Sequence, residues 1–549
     1  MAAALVTVLV ASMFVHGCFS WPWRPGSPGH GKPIQTGWQR PIPVGPPSNE
    51  AYTVTSERLL RIRVAHHLGE FALSSPGKLE LDSPLGKRVL SAGTYALRAS
   101  SVVPARQTFH VFAKTFKAHE RSESEAYVEG WRAKGYSPQT LLFGEQFGTD
   151  SDVVLDNRIR WISVAHFETQ EQAESLKAEL EKQNQWCWIR AQTRQSGSAS
   201  LTFKEETTGA TWTVPIPASL SSDAGISLMT GYAGVQQEKD RAPIYSGTIE
   251  VGIGPEGRIE AYEIQRLETY LKGVLPAEMP SDWPLEALEA QAVAARSDSV
   301  ANLRLRHELE GFDFCSLEHC RAYSGRTKHT AATDLAVAAT EGQVLSAGGR
   351  VVPTVFSANC GGHTEDNDTA WSAPPDPVLR GVSDVVAVSP GRSYALVDSG
   401  IENWLRHPPQ AYCGADTNTF RWKREFTADE LSRVLNRQYA IGAVRNIELG
   451  DRGVSGRLKW VRVTGTEGTV TIRKELPIRL AFGNLPSAMF IIDAERSRGA
   501  VVNYTFMGGG RGHGVGLCQH GARGRALAGS SYRDILRHYF TNVDIVKVP

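Results

Sequence analysis

The sequence predicts an α+β protein, mainly β with helical elements, carrying a separate βαβ-repeat module. Three observations lead there. Short alternations of apolar and polar residues, bounded by Gly, Pro and Ser, recur along the chain. Two weakly similar strand–helix halves occupy residues 107–195, and one long helical run follows at 285–303. At 549 residues the chain is long enough for three or four units at ~150 residues each. It divides into 1–20, 21–55, 56–104, 105–198 and 199–549. Lys+Arg 59 against Asp+Glu 58 leaves a net charge of +1. That balance excludes a global basic field for nucleic acid and the acidic bias of a disordered chain.

Residues 2–15 are apolar over the length of a secretory signal's hydrophobic region and too short to span a bilayer. No Lys or Arg precedes them. Val15-His16-Gly17-Cys18 resembles a bacterial lipobox, so a lipidated Cys18 and plain secretion both stay open, beside an apolar N-terminus without an export role. Residues 21–50 hold eight prolines among Gly, Ser and Trp, which favours extended chain: a tether, or equally a disordered leader.

From Leu59 the alternation Leu60-Arg-Ile-Arg-Val64 opens a small β region that runs through residues 56–104. The module at 105–198 repeats a strand and a polar-faced helix: Phe109–Phe116 with a helix near Ser124–Lys134, then Trp161–Phe167 with a helix near Gln170–Gln183. Ala173, Leu176 and Leu180 form one apolar face of the second helix. The pair resembles a SPOR-type domain, whose family binds peptidoglycan strands stripped of stem peptides; the alternative is a purely structural repeat. Residues 199–265 return to strands, with a hairpin signal at Gly254-Pro-Glu-Gly257, so the module is either inserted into a larger β-rich domain or placed before it.

Residues 268–305 carry the chemistry. Glu278 stands between Pro276 and Pro280, and Pro284 opens the helical run, with Ser281 and Asp282 placed to satisfy its free amides. Leu285, Leu288, Ala292, Ala295 and Leu303 share a helical face with Arg296. An arginine on a buried stripe requires an acidic partner or ligand, because an unpaired buried charge costs several kcal/mol. Glu278 is the expected partner. Leu275, Met279 and Trp283 supply an apolar wall; roughly 3 kcal/mol of differential solvation would bring a glutamate from ~4.3 to between 6 and 7, a general acid near neutral pH. A structural Glu–Arg pair pinning a loop to a helix is the competing reading.

Three separated runs resemble the stage II sporulation protein D family, also called the amidase-enhancer family: Glu268-Thr-Tyr-Leu-Lys-Gly-Val-Leu-Pro-Ala-Glu-Met-Pro280, Trp283-Pro-Leu-Glu-Ala-Leu-Glu-Ala-Gln-Ala-Val-Ala-Ala-Arg296, and Gly512-His-Gly-Val-Gly-Leu-Cys-Gln-His-Gly-Ala522. The resemblance covers about residues 245–547. It implies an exported lytic transglycosylase of the periplasm or cell envelope, acting on glycan strands already stripped of peptides. The family's catalytic glutamate falls on Glu278 and its motif arginine on Arg296. Glu289 stands where the family usually has lysine, so any role of that lysine is lost. Two rivals stay open: a non-catalytic binding protein that enhances a cell-wall amidase, and a wall-binding structural protein.

His307, Cys315, His319 and Cys320 offer two imidazoles and two thiolates within fourteen residues, enough for a closed, structural zinc site. Zinc at matching positions in some family members supports this; a Cys315–Cys320 disulfide is the alternative in an oxidising compartment. Cys360-Gly361-Gly362-His-Thr364-Glu365, ending at Trp371, resembles the family's loop near the sugar cleft and implies substrate contacts at Gly361, Gly362 and Thr364. Whether Cys360 pairs with Cys413 stays open. Cys187 and Cys518 read as buried free thiols. Six glycines lie among residues 508–516, without phosphate-loop or Rossmann spacing. His513, Gln519 and His520 are expected to line a polysaccharide groove, His513 through the family motif alone, and Ser531 and Asp534 to cap the last helix.

Overall fold

The alternation that opens the body of the chain sets its first sheet. Leu60, Ile62 and Val64 of the strand Leu59–Leu68 face the core, with Arg61 and Arg63 on the other side. The computed structural model describes residues 58–151, 153–230, 242–317, 320–386 and 398–548. The signal, Cys18 and the proline tether lie outside the described residues. Within them the architecture is mixed and strand-rich. No described helix is long and apolar enough to cross a membrane.

Leu59–Leu68 pairs antiparallel with Ile259–Arg266 and parallel with Phe314–Cys315. Ile259–Arg266 returns through the Gly254–Gly257 turn to Thr248–Ile253, as the hairpin signal predicts. A second sheet places Gly93–Val103 between Glu70–Ser75 and Ser198–Glu205. Strands before the module therefore pair with strands after it. From Arg58 on, this segment is not a unit of its own: its strands share two sheets with strands that follow the module, among them Ser198–Glu205 and Ile259–Arg266. The reason is hydrophobic: Phe71, Leu97, Phe203 and Leu228 each bury against one shared core, which neither segment could close alone.

The module is thus an insertion. Its helices, Arg121–Arg132 and Gln170–Lys182, alternate with Arg106–Lys117, Gln139–Phe143, Ile159–Phe167 and Trp188–Gln195 in an antiparallel sheet. Thr169 caps the second helix by accepting from the Gln172 amide, and Ala173 and Leu180 bury as their spacing predicts. The sheet also packs outward: Phe112, Phe143, Trp161 and Trp188 meet Leu305 and Leu309 from the segment after the long helix. A C-terminal region adds two three-stranded sheets, one holding Arg421–Thr427, Ala500–Gly509 and Phe490–Ser497, over a second core around Leu431, Val461 and Phe506.

At the centre lies the helix Leu285–Ala301. Every residue from Ala287 to Ala301 is buried, so it is covered on all sides rather than along one stripe. Helices at 267–278, 331–339, 519–527 and 532–539 and the strands at 343–347 and 350–351 surround it. Its alanines and serines allow that close approach. Two expectations change here. Leu285 is exposed at the helix mouth, and Pro284 is the N-cap residue without a side-chain cap bond, so Ser281 and Asp282 do not serve that role.

His110 ties the module together. Its imidazole is fully buried, with Nδ1 3.0 Å from Ser163 Oγ and Nε2 3.0 Å from Gln192 Oε1. Burial, partly opposed by the Gln192 bond, lowers its pKa from 6.5 to about 4. The unfolded chain takes up a proton below 6.5 that the folded imidazole refuses until about 4, so stability is full above pH 6.5 and falls as pH drops through that window. The loss amounts to on the order of 3 kcal/mol. Urea unfolding at neutral and acid pH should show a smaller acid loss in His110→Gln than in the parent; parallel losses would remove the histidine from the account.

Candidate functional site

Glu278 is the last residue of the helix Leu267–Glu278. Pro276 lies inside that helix, but in its final turn, where a missing amide removes only one ladder bond. The Met279 amide donates to the Leu275 carbonyl and closes the end. The Glu278 side chain is half-buried, between buried Met279 and half-buried Ala277.

The glycine-rich C-terminal motif reaches this helix end. Gln519 Nε2 donates to the Glu278 carbonyl oxygen at 3.1 Å and lies 3.3 Å from Gln291 Oε1 on the central helix. One amide thus joins the glutamate helix, the central helix and the helix Gln519–Leu527. Trp283 stands edge-on to His520, with ring centroids 4.9 Å apart, and the Arg523 guanidinium lies 5.6 Å from the Trp283 ring. His520 Nε2 is 3.3 Å from Asp416 Oδ2. Trp283, His520 and Arg523 are half-buried like Glu278.

Arg296 does not share this site. Its guanidinium makes a two-pronged ion pair with Glu268, Nε to Oε1 and Nη2 to Oε2, each 2.7 Å, and donates to the Val337 and Gln343 carbonyls. It is fully buried. Glu268 lies ten residues before Glu278 on one helix, about 15 Å along its axis. In a helical hairpin, residues equidistant from the turn face each other. Arg296 is far from the turn and meets Glu268; Glu278 is next to it. Glu268 carries no local signal of this role: the pairing depends on residues 267–278 forming a helix, which Pro276 disguises in the sequence. Gln291 was missed too, and its place on a helix opposite the glycine motif left no local signal. Glu289, in the position of the family's lysine, is buried, and burial together with Glu286 one turn away raises its pKa.

The loop residues expected to contact sugar face inward. Thr364 is fully buried and exchanges hydrogen bonds with Val382, its hydroxyl accepting from the amide at 2.7 Å. Gly361 and Gly362 are buried; the Gly361 carbonyl accepts from Trp404 Nε1 and Arg421 Nη1, and a Cβ on Gly362 would strike Trp404 at 2.7 Å. These three hold loops together, a correction to their reading as sugar contacts. Glu365 anchors the same loop, accepting from Ser455 Oγ at 2.7 Å. His513 spends both ring nitrogens on backbone: Nε2 on the Phe356 carbonyl at 2.9 Å, Nδ1 on the Val515 amide at 3.1 Å. Its ring lies 5.0 Å from that of Trp371. Gly514 is needed on two counts: its φ is +77°, and a Cβ there would meet the Arg457 guanidinium carbon at 2.3 Å. Among Gly361, Gly362, Thr364, His513, Gln519 and His520, Gln519 bonds the Glu278 carbonyl. Ser531 caps the last helix by accepting from the Asp534 amide, as expected.

His307, Cys315 and Cys320 converge, all buried, with donor atoms within 4.8 Å of one another; Cys320 Sγ and His307 Nε2 are 3.3 Å apart. His307 Nδ1 lies 2.9 Å from Glu310 Oε1, the outer carboxylate that orients a metal-binding imidazole. This donor set fits zinc. His319 lies outside the described residues. No disulfide joins Cys315 to Cys320 or Cys360 to Cys413, and Cys187 and Cys518 are buried and outside any disulfide.

Comparisons with known proteins place this geometry. Residues 255–346 match the family model of the stage II sporulation protein, and residues 365–516 match a domain of unknown function, DUF8618. An uncharacterized protein of Brachyspira hyodysenteriae is 31% identical over 283 residues, covering 51% of this chain and 66% of that protein. The amidase enhancer of Bacillus subtilis is 28% identical over 49% of this chain and 39% of its own length. Stage II sporulation protein D of Bacillus amyloliquefaciens is 27% identical over 51% of this chain and 74% of its own length.

The ion pair between Arg296 and Glu268 predicts a stability effect. Arg296→Met strands a carboxylate and should cost about 3 kcal/mol in denaturant unfolding, while Glu268→Leu with Arg296→Met should recover most of it. An unchanged midpoint in the single variant would show that the pair does not hold the two helices.

Proposed function

We propose, from the premise that this chain belongs to the stage II sporulation protein D family through residues 255–346, that it is an exported cell-wall protein that cleaves peptide-stripped glycan strands. The reaction is a lytic transglycosylation between N-acetylmuramic acid and N-acetylglucosamine. The observation that carries it is half-buried Glu278 at a helix end whose carbonyl is held by Gln519 of the glycine motif, the neighbour in sequence of His520, whose ring meets Trp283.

In this reading Glu278 needs no second carboxylate. Protonated, it donates to the glycosidic oxygen as the bond to muramic C1 breaks. As a carboxylate it then takes the proton from the muramic C6 hydroxyl while that oxygen attacks C1, leaving a 1,6-anhydro end and consuming no water. Gln519 keeps the helix end in place, and His520 and Arg523 offer polar contacts to the sugar or its developing charge. Arg296 acts only through Glu268, by fixing one helix against another. His307, Cys315 and Cys320, with His319 as the fourth donor of the sequence, would hold a zinc ion whose contribution is structural cross-linking.

The relative named amidase enhancer supports a second reading, in which the chain binds glycan and assists a separate cell-wall amidase. The likeness of the inserted module to glycan-binding SPOR domains suits either role; part of its sheet is occupied by Leu305 and Leu309. Mass spectrometry of products from denuded glycan separates the two. The parent should release anhydro-muramic ends, Glu278→Gln should release none, and Gln519→Ala should slow release by up to about 100-fold. Equal release by parent and Glu278→Gln, or none from either, rejects the enzyme and leaves the enhancer.

A further inference from the structure

We infer that Cys360, Cys413, Cys518 and Asp384 form a second metal site, a closed zinc centre separate from the one at His307. The four side chains come from distant parts of the chain. Cys360 follows the strand Phe356–Ser357, Cys413 lies in the turn Tyr412–Ala415, and Cys518 ends the strand Leu517–Cys518. All four are fully buried, and their donor atoms lie within 4.8 Å of one another. Two ligands about 2.3 Å from a tetrahedral zinc stand about 3.8 Å apart. Cys360 Sγ is 3.6 Å from Cys413 Sγ and 3.8 Å from Asp384 Oδ2.

The surroundings are those of metal ligands. Asp384 Oδ1 is used entirely by the protein, accepting from Arg525 Nε at 3.1 Å, Arg525 Nη2 at 2.9 Å and Tyr539 Oη at 2.9 Å. That fixes the carboxylate and leaves Oδ2 turned toward the sulfurs. Cys518 Sγ accepts from the amides of Cys360 at 3.1 Å and Gly521 at 3.3 Å, bonds suited to a thiolate. Gly521 is required here, since a Cβ would meet Asp384 Oδ2 at 2.4 Å. Arg525 on Asp384, and Arg421 within electrostatic reach of Cys413 and Cys360, offset the negative donor set. Three thiolates with one carboxylate suit zinc, which accepts both sulfur and oxygen, and four protein ligands in a dry site leave no open position for catalysis.

The site also has a place in the fold. Cys518 is the N-cap of the helix Gln519–Leu527, whose first residue holds the Glu278 carbonyl. A metal at Cys518 would anchor that helix to the loops carrying Cys360 and Cys413. The metal assignment itself is independent of the transglycosylase reading.

Metal analysis of the purified full chain tests it without reference to activity. Cys413→Ser should lose about one equivalent of zinc relative to the parent, and Asp384→Asn should bind that equivalent more weakly, while His307→Ala loses a different equivalent and keeps this one. Should Cys413→Ser fail to fold, the parent and His307→Ala still decide. Alkylation of unfolded, unreduced parent should label Cys360, Cys413 and Cys518 alike, and cobalt-substituted His307→Ala should show thiolate-to-metal charge transfer. Zinc content unaffected by Cys413→Ser, a Cys360–Cys413 disulfide in the unreduced parent, or no charge transfer in the cobalt protein overturns the proposal.

Discussion

The buried ion pair between Arg296 and Glu268 is the constraint on which the site depends. Arg296 occupies a helix enclosed on all sides, where a guanidinium is tolerable only if its donors are met. Glu268, Val337 and Gln343 meet them. The pair clamps the first turn of the glutamate helix to the middle of the central helix. The far end of that helix, and with it Glu278, is thereby set beside the turn that carries Trp283. The second constraint on that end comes from Gln519, nearly the whole chain length of the domain away in sequence.

Enclosure of the central helix explains much of the rest. A helix in which six of seventeen residues are Ala and two are Ser can be approached closely from every direction, so elements from residues 267 to 539 pack on it. Their loops must pass close to one another and to buried charges. The glycines at 361, 362, 514 and 521 lie where such approaches leave no room for a side chain. Conserving space, rather than contacting ligand, is the physical reason for the loop Gly361-Gly362-His363-Thr364.

The insertion has its own logic. Strands on either side of the module complete one another's sheets, so the βαβ module leaves and re-enters through neighbouring strands, Gly93–Val103 and Ser198–Glu205. Its aromatic sheet residues then dock on Leu305 and Leu309, close in sequence to His307. The module and the predicted zinc ligands therefore brace the same segment.

The sequence by itself determined the local features: the strand alternation from Leu60, the hairpin at Gly254–Gly257, the module's two helices and the apolar face of the second, the central helix, the donor cluster around His307 and the placing of Glu278 in a family motif. Each depends on residues a few positions apart, where periodicity and turn chemistry act. Tertiary structure alone decided that Arg296 faces Glu268 rather than Glu278, that Thr364 turns inward, that the strands before the module pair with those after it, and that Cys360 and Cys518 meet across 158 positions. Those outcomes rest on which surfaces bury against which. Burial couples residues by proximity in space, and a single chain's spacing carries no record of it.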